Sequence, residues 1–306
     1  MTSDISIIIV NWNTRQLLKD CLDSLQANPG AVSCEIWVVD NASTDGSVEM
    51  LRADYPHVNL IQNRANVGFA RANNQAMRKA SGRYLLLLNT DTRVTPGAVD
   101  AMLNLAEEKP QAGIVGACLF NADGSFQASY AEFPNLWREF LILSGLGRLF
   151  FGNFYPNHAP IPGEMPHPVD YVQGACLLVR REAYEEVGGL DEGYFMYSEE
   201  VDWCFAMRDA GWQIWYQPEA AIIHLGGASS ASRPTARELD LYLSRVRFFR
   251  KHYGRTAALC LEIMLLYLTA VKYIFHRAAR AVSRERVGRR VVSPFALASR
   301  LRGIEA

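Results

Sequence analysis

Asp191, Glu192, Glu199, Glu200 and Asp202 crowd one aromatic stretch, Gly188-Gly189-Leu190-Asp191-Glu192-Gly193-Tyr194-Phe195-Met196-Tyr197-Ser198-Glu199-Glu200-Val201-Asp202. Carboxylates set among Phe and Tyr are partly desolvated and repel one another, so alone the arrangement is costly. It is tolerated where a cation, or a proton in transit, meets the acids. Glu199, Glu200 and Asp202 open a helix expected to run to about Ala210, with Ser198 as its N-cap. A carboxylate in a first helical turn is stabilised as the anion, which leaves it able to act as a base. Acidity at a helix N-terminus is also an ordinary stabilising device, so the chemistry depends on what the rest of the chain supplies.

Three other side chains stand where such chemistry needs them. Asp40 and Asp91 fall at the carboxyl ends of expected strands, where open parallel sheets bind ligands. Asp40 could accept hydrogen bonds from a base or ribose; Asp91, two residues after Asn89, offers oxygen to a hard divalent ion. An Asp at a strand end serves equally as a cap or turn former. His224 closes another expected strand ahead of Leu225-Gly226-Gly227-Ala228-Ser229. Its imidazole could join Asp91 on one ion, with the glycines letting the loop close; a structural histidine is the alternative. No G-x-G-x-x-G follows the first strand and no G-x-x-x-x-G-K-[ST] occurs, so a bound diphosphate would need a metal to neutralise it.

The elements that must position these residues alternate. Ile5 to Val10 reads as a buried strand, and Thr14 to Leu25 as a helix presenting Leu17, Leu18, Cys21, Leu22 and Leu25. Glu35 to Asp40 is a second strand, Asn41 to Ser47 a turn and helix start, and Val58 to Gln62 a third strand. A helix opens at Asn66-Val67-Gly68-Phe69-Ala70 and closes at Gly82; Arg83 to Leu88 is the next strand. Thr95-Pro96 caps a helix with Val99, Met102, Leu103 and Ala106 on one face. This alternation implies an α/β, doubly wound, mostly parallel sheet. Phe126 to Pro168, with Ala159-Pro160-Ile161-Pro162-Gly163, reads as a long functional loop. Tyr171 to Arg180 returns as regular structure with a helix near Glu182 to Val187, then the extended pair Gln213 to Gln217 and Ala220 to Leu225.

With 306 residues and 49% hydrophobic content the chain can build one large domain plus an appendage. Its formal charge of -1 offers no global attraction to nucleic acid. Six scattered cysteines without a C-x-x-C pair read as mostly buried free thiols, and no basic n-region precedes the first strand, so no signal peptide is expected. From Ala257 to Phe275 the sequence is nearly all apolar, with Arg255, Glu262, Thr269, Lys272, His276 and Arg280 along one narrow stripe. Beyond it come Arg277, Arg280, Arg284, Arg286, Arg289, Arg290, Arg300 and Arg302 against Glu285 and Glu305. Charges within the run disfavour a single span; an interfacial helix with a basic tail fits a membrane surface, and packing on the domain or a homodimer seam is the alternative. The expected division is a domain over 1–254 and a helical extension over 255–306.

Taken together, the segments resemble glycosyltransferase family 2, in its bacterial rhamnosyltransferase-like branch. The resemblance spans Ser6 to Gly254 and rests on the order and spacing of several motifs. They are Ile8-Ile9-Val10-Asn11-Trp12-Asn13, Val38 to Ser47, Asn63 to Asn74, Leu88-Asn89-Thr90-Asp91, Gln173-Gly174-Ala175, Gly188 onward, and His224-Leu225-Gly226-Gly227. It implies a GT-A fold with a Rossmann-like sheet, and nucleotide binding by Val10, Asn11, Asn13, Asp40, Asn66, Asn89 and Thr90. It further implies a divalent ion, Mg2+ or Mn2+, on Asp91 and His224, and Glu200 as base with Asp202 beside the acceptor. Gly174, Asp191, Glu199 and Trp203 are the implied sugar or acceptor residues. The sequence departs from the pattern at Asn89, where the first acid of a D-x-D motif is usual, at Glu200 in place of Asp, and at Ala206 in place of Arg. The Q-x-x-R-W signature of processive members is absent.

The function so implied is inverting transfer of a sugar, L-rhamnose from dTDP-L-rhamnose, to a cell-envelope glycan or a polyprenyl-linked glycan. The expected place is the cytoplasmic side of the inner membrane. The same fold with a UDP-hexose or UDP-galactofuranose donor, or a non-catalytic nucleotide-sugar-binding subunit, are the competing readings.

Overall fold

The computed structural model describes residues 3–158, 161, 163–226, 234–282 and 292–302. In chain order its elements begin with β1 (Ile5–Asn11), α1 (Arg15–Ala27), β2 (Cys34–Asp40), α2 (Ser47–Asp54), β3 (Asn59–Gln62) and α3 (Phe69–Met77). Next come β4 (Tyr84–Asn89), β5 (Thr92–Val94), α4 (Ala98–Glu108), β6 (Ala112–Phe120), β7 (Phe126–Gln127) and β8 (Tyr130–Ala131). Then follow α5 (Leu136–Ser144), α6 (Leu146–Phe151), β9 (His167–Val169), β10 (Tyr171–Val172), β11 (Cys176–Arg180) and α7 (Arg181–Val187). The last are α8 (Glu199–Asp209), β12 (Gln213–His224), α9 (Pro234–His252), α10 (Gly254–Val282) and α11 (Pro294–Arg302).

Contacts gather these into two units, one of Met1–Phe133, Asn157–Phe195 and Glu199–Ser229, the other of Pro134–Pro156, Met196–Ser198 and Ser230–Ala306. In the first, a sheet runs in the order β3-β2-β1-β4-β11-β6-β12-β5. β1 lies parallel between β2 and β4, so that Asn11 faces Asp40 and Val10 faces both Val39 and Asn89. Ile5, Ile7 and Ile9 of β1 and Leu86 and Leu88 of β4 share a core with Leu18, Cys21 and Leu22 of α1 and Met102 and Leu103 of α4. The alternate set, Ile8, Leu85 and Leu87, is buried as well. A strand with both faces covered has no polar side, which is why these runs are continuously apolar.

The sheet is mixed, because β11 runs antiparallel to both β4 and β6, and β5 antiparallel to β12. Other differences from the sequence-based expectations are local. α3 ends at Met77, well before Gly82. Gly82 is needed for another reason: a Cβ there would come within 2.5 Å of the Ser6 backbone nitrogen. α4 begins at Ala98 after Gly97, whose φ is +76°, while the Thr95 hydroxyl donates to the Ala221 carbonyl at 2.7 Å instead of capping. Tyr171 to Arg180 divides into β10 and β11 around Gln173-Gly174-Ala175, whereas Gln213 to His224 is one strand with an irregularity between Gln217 and Ala221. Ser198 has φ +66° after Tyr197 at +74°, not the extended backbone of a usual N-cap. Cys21, Cys118, Cys176 and Cys204 are buried, and Cys34 and Cys260 are exposed.

Phe126 to Pro168 holds more structure than a loop. The Asn135 side chain accepts the Arg138 N–H at 2.9 Å and Gly145 stops the helix at φ +80°, which brackets α5. Ala159, Pro160 and Pro162 lie outside the described residues, as do Gly227, Ala228, Ser229, Arg284, Arg286, Arg289 and Arg290.

In the second unit, α9 buries Tyr242, Val246, Phe248 and Phe249 and extends two cations to acids on its neighbours. Arg245 bridges Glu139 of α5 at 2.7 Å and Arg250 bridges Glu262 of α10 at 2.8 Å. α9 therefore belongs with α10, and this unit is not divided at residue 254. α10 buries Ala258, Leu261, Leu265 and Thr269 with Glu262 beside them, while the apolar Leu259, Ile263, Tyr267, Ile274 and Phe275 are exposed.

Candidate active site

The first corner of the site forms where β1 and β2 end side by side. The Asn11 side-chain amide donates to Asp40 Oδ1 at 2.8 Å and to the Ser43 hydroxyl at 3.0 Å. Asp40 Oδ2 accepts the Ser43 N–H at 2.9 Å. Both carboxylate oxygens are thus engaged inside the protein, and Asp40 is fully buried. Its evident task is to shape the turn Asn41 to Ser47. Asn13, with φ +53°, completes that turn by accepting the Thr44 N–H on Oδ1 at 2.7 Å. Thr14 ties the corner to the end of β4, donating to Asn11 Oδ1 at 2.8 Å and lying 3.0 Å from the Thr90 hydroxyl. Val10 and Asn89 are half-buried neighbours in the register above.

The second corner pairs Asp91 with His224. β5 and β12 align Thr92 with His224, and the Asp91 carbonyl accepts the Leu225 N–H at 2.8 Å. That brings Asp91 Oδ1 within 3.3 Å of His224 Nε2, with the two side chains 12% and 17% exposed. The other ring nitrogen, Nδ1, lies 2.5 Å from Gln127 Oε1. The Gln127 amide is oriented by its own Nε2, which donates to Asn121 Oδ1 at 2.9 Å and to the His224 carbonyl at 3.3 Å. With Gln127 accepting at Nδ1, Nε2 is the ring nitrogen left facing Asp91: a protonated ring donates to the carboxylate there, and a neutral ring presents a lone pair that could join Asp91 on a cation. Gln127 was missed in the sequence, where a lone Gln in a two-residue strand carries no signal. Among the described residues no three His, Cys, Asp or Glu side chains converge as a metal cage, so this pair offers two donors.

The acid loop is the third part. Glu192 is bound by Arg71 at 2.9 Å and Arg78 at 3.4 Å, and the Asn74 side chain brackets Leu190 through both its N–H and its carbonyl. Asp191 Oδ1 accepts the Gly193 N–H at 2.8 Å. Gly68 must be glycine: at φ +87° any Cβ would meet the Phe195 carbonyl at 2.7 Å. Asn66 Oδ1 accepts the Gly68 N–H at 3.0 Å, so it too holds this crossing. Behind the loop, Asp202 accepts the Tyr194 hydroxyl at 3.2 Å. Trp203, only 1% exposed, donates its indole N–H to the Gly188 carbonyl, which puts it behind the loop as a brace without a free face for a sugar.

Two glutamates remain. Burial first, and then repulsion by Glu200, pushes the Glu199 carboxyl well above the usual range, and its Oε2 has no hydrogen-bond partner. Burial and the neighbouring carboxylate thus favour the neutral form of Glu199. Glu200 is half-buried, and its side chain lies beside Gly174, where a Cβ would make ordinary contact with it at 3.5 Å. The next residue, Ala175, accepts the Asn89 N–H at 3.0 Å. Glu200 therefore stands one residue pair away from the strand end that leads to Asp91.

The sequence matches the family model described as glycosyl transferase family 2 over residues 6–188, more than half of the chain. It is 32% identical over 257 residues to the N-acetylglucosaminyl-diphospho-decaprenol L-rhamnosyltransferase of Mycobacterium tuberculosis, covering 77% of this chain and 80% of that protein. It is 29% identical over 230 residues to rhamnosyltransferase WbbL of Escherichia coli K12, covering 71% and 82% of the two chains. Among solved structures, mannosyltransferase PcManGT from Pyrobaculum calidifontis, in complex with GDP-Man and Mn2+, shares the fold with a TM-score of 0.58 at 15% identity. That match covers 99% of this chain and 81% of the other. This chain is a glycosyltransferase with the GT-A fold and belongs to family 2, in the rhamnosyltransferase-like branch.

Proposed function

We propose that the enzyme transfers L-rhamnose from dTDP-L-rhamnose, with inversion, to a hydroxyl of a polyprenyl-diphosphate-linked glycan at the cytoplasmic face of the inner membrane. The donor and acceptor classes are supported by the rhamnosyltransferase relatives, one of which is named for a decaprenyl-diphosphate-linked acceptor. The observation that carries the chemistry is the close approach of Asp91 Oδ1 and His224 Nε2, which a shared cation would use.

Asp91 and His224 would hold Mg2+ or Mn2+ together with donor phosphate oxygens, a ligand set such ions accept. When bound, the ion neutralises the diphosphate leaving group. The turn shaped by Asn11, Asp40 and Ser43 receives the nucleoside. Glu200 takes the proton from the acceptor hydroxyl as that oxygen bonds to the anomeric carbon and the bond to the diphosphate oxygen breaks. The electron pair of the broken bond leaves with dTDP.

The donor assignment is tested by thermal shift with dTDP-L-rhamnose, UDP-galactofuranose, UDP-glucose and GDP-mannose, each with and without Mn2+. A ligand at a hundred times its Kd adds about 2.7 kcal/mol to stability, so the preferred donor separates clearly. The largest metal-dependent shift is expected with dTDP-L-rhamnose; a larger one with a UDP-sugar overturns the rhamnosyl reading. The ion site is tested at Gln127. Gln127→Leu removes the acceptor that fixes the His224 tautomer and is expected to weaken Mn2+ binding about 10- to 100-fold by electron paramagnetic resonance titration. Gln127→Glu keeps an acceptor and should bind Mn2+ nearly as the parent does; equal loss in both variants rejects the orienting role.

Membrane contact is supported by α10. Gly254–Arg277 is long and apolar enough to cross a bilayer by length and composition, and Leu259, Ile263, Tyr267, Ile274 and Phe275 are exposed on it. With Glu262 bridged to α9 and Thr269 buried against the unit, α10 lies along the surface of the bilayer rather than through it.

A further inference from the structure

We propose that α6 is a second and separate lipid-inserting element, a knob that enters an anionic phospholipid leaflet through Leu149, Phe150 and Phe151. The three are 74%, 67% and 63% exposed, and Trp137 at the start of α5 is 65% exposed. Leu149, Phe150 and Phe151 are consecutive on a helix, so at 3.6 residues per turn they fan over about 200° of its circumference. One flat protein partner cannot cover that arc. Lipid can, because acyl chains close around an inserted knob from all sides.

The knob is framed and braced. Gly145 at φ +80° and Gly152 at φ +90° bound it, and Phe151 stacks on Tyr155 at 5.2 Å. Charge then selects the kind of surface. Of the acids on α5, α6, α10 and α11, Glu139 is buried against Arg245 and Glu262 is bridged to Arg250. Arg148 in the knob, Lys272 and Arg277 on α10, and Arg302 on α11 are exposed. Exposed apolar side chains beside Arg148, on a unit whose α5 and α10 acids are bridged inward while Lys272, Arg277 and Arg302 stay exposed, complement phosphate headgroups over acyl chains. Trp settles at that boundary, and Phe and Leu enter the acyl chains beneath it. The proposal rests on the membrane-surface reading of α10, but the two contacts fail separately.

The test is co-sedimentation of the full chain with phosphatidylcholine vesicles, alone or with about a third phosphatidylglycerol. The parent is expected to bind the anionic vesicles more tightly. Replacing Leu149, Phe150 and Phe151 together by Ser is expected to lower that binding about tenfold or more. Parental binding by the triple variant overturns the proposal. So does a change of oligomeric state on size exclusion with vesicle binding unchanged, which would make the knob a seam between copies of the chain. Ile263→Ser with Tyr267→Ser probes α10 alone. If only the α10 variant loses binding, the knob is rejected and α10 stands; if only the knob variant loses it, the knob stands and the α10 reading falls. A second measurement does not depend on the triple variant folding. An environment-sensitive dye on Phe150→Cys, in a chain with Cys34→Ser and Cys260→Ser, should shift its emission to the blue on anionic vesicles; unchanged emission rejects insertion.

Discussion

Glu200→Gln is expected to lower kcat by about 10²- to 10⁴-fold while leaving dTDP-sugar and Mn2+ binding as in the parent. The substitution preserves shape and hydrogen bonding but cannot accept the acceptor's proton. Two features support Glu200 as the group that does: it lies in the first turn of α8, where the dipole favours an anion, and burial pushes its neighbour Glu199 toward the neutral form. Removing the base should also remove the acid limb of the pH–rate profile, because that limb reports protonation of the group lost. Turnover in Glu200→Gln within a few-fold of the parent would sink the assignment. A loss of donor binding equal to the loss of rate would point to a structural role instead.

Asp91→Ala is expected to abolish the Mn2+-dependent part of donor binding and to reduce transfer by about 10³-fold or more, since one of two protein donors to the ion is gone. The fold at this point should survive, because the contact that joins β5 to β12 uses the Asp91 carbonyl and not its side chain. His224 also keeps its bond to Gln127. The measurement is a pair of dTDP-L-rhamnose titrations, with Mn2+ and with chelator. In the parent they should differ widely, and in the variant they should coincide. A variant whose titrations still differ as the parent's do would move the ion elsewhere.

The strands beneath the site were legible because both faces are covered. Ile7 to Val10, Ile36 to Val39 and Leu85 to Leu88 are apolar without alternation, as strands covered on both faces become. The faces of α1 and α4 were legible because their apolar residues recur at helical spacing on one side. The direction of β11 was not, since side chains alternate identically in parallel and antiparallel strands. Gly82 and Thr95-Pro96 misled because their local chemistry suits helix ends, whereas long-range partners, Ser6 and Ala221, determine their use. α5 was hidden by the Pro and aromatic residues around it, although Asn135 and Gly145 marked both its ends. At the site, Asp40, Asp91, Glu200 and His224 announce themselves as strand-end or helix-start acids and a lone imidazole. Gln127 does not, because its importance comes only from the ring nitrogen it faces. Trp203 carried a family position, but burial decides what its indole can touch.

The way the acid loop is fastened has a consequence for the order in which the chain is built. Asn74 reaches Leu190 across 116 residues and Arg71 reaches Glu192 across 121, while Phe69 donates its N–H to the Phe195 carbonyl. α3 packs on β1 and β2, so it can be seated long before its partners exist. Closing such distant contacts is slow and comes late. A nascent chain halted before Gly188 would already hold the residues of the β1, β2 and β4 corner, yet lack both Glu200 and His224. Activity would therefore mark the last step of folding rather than the first.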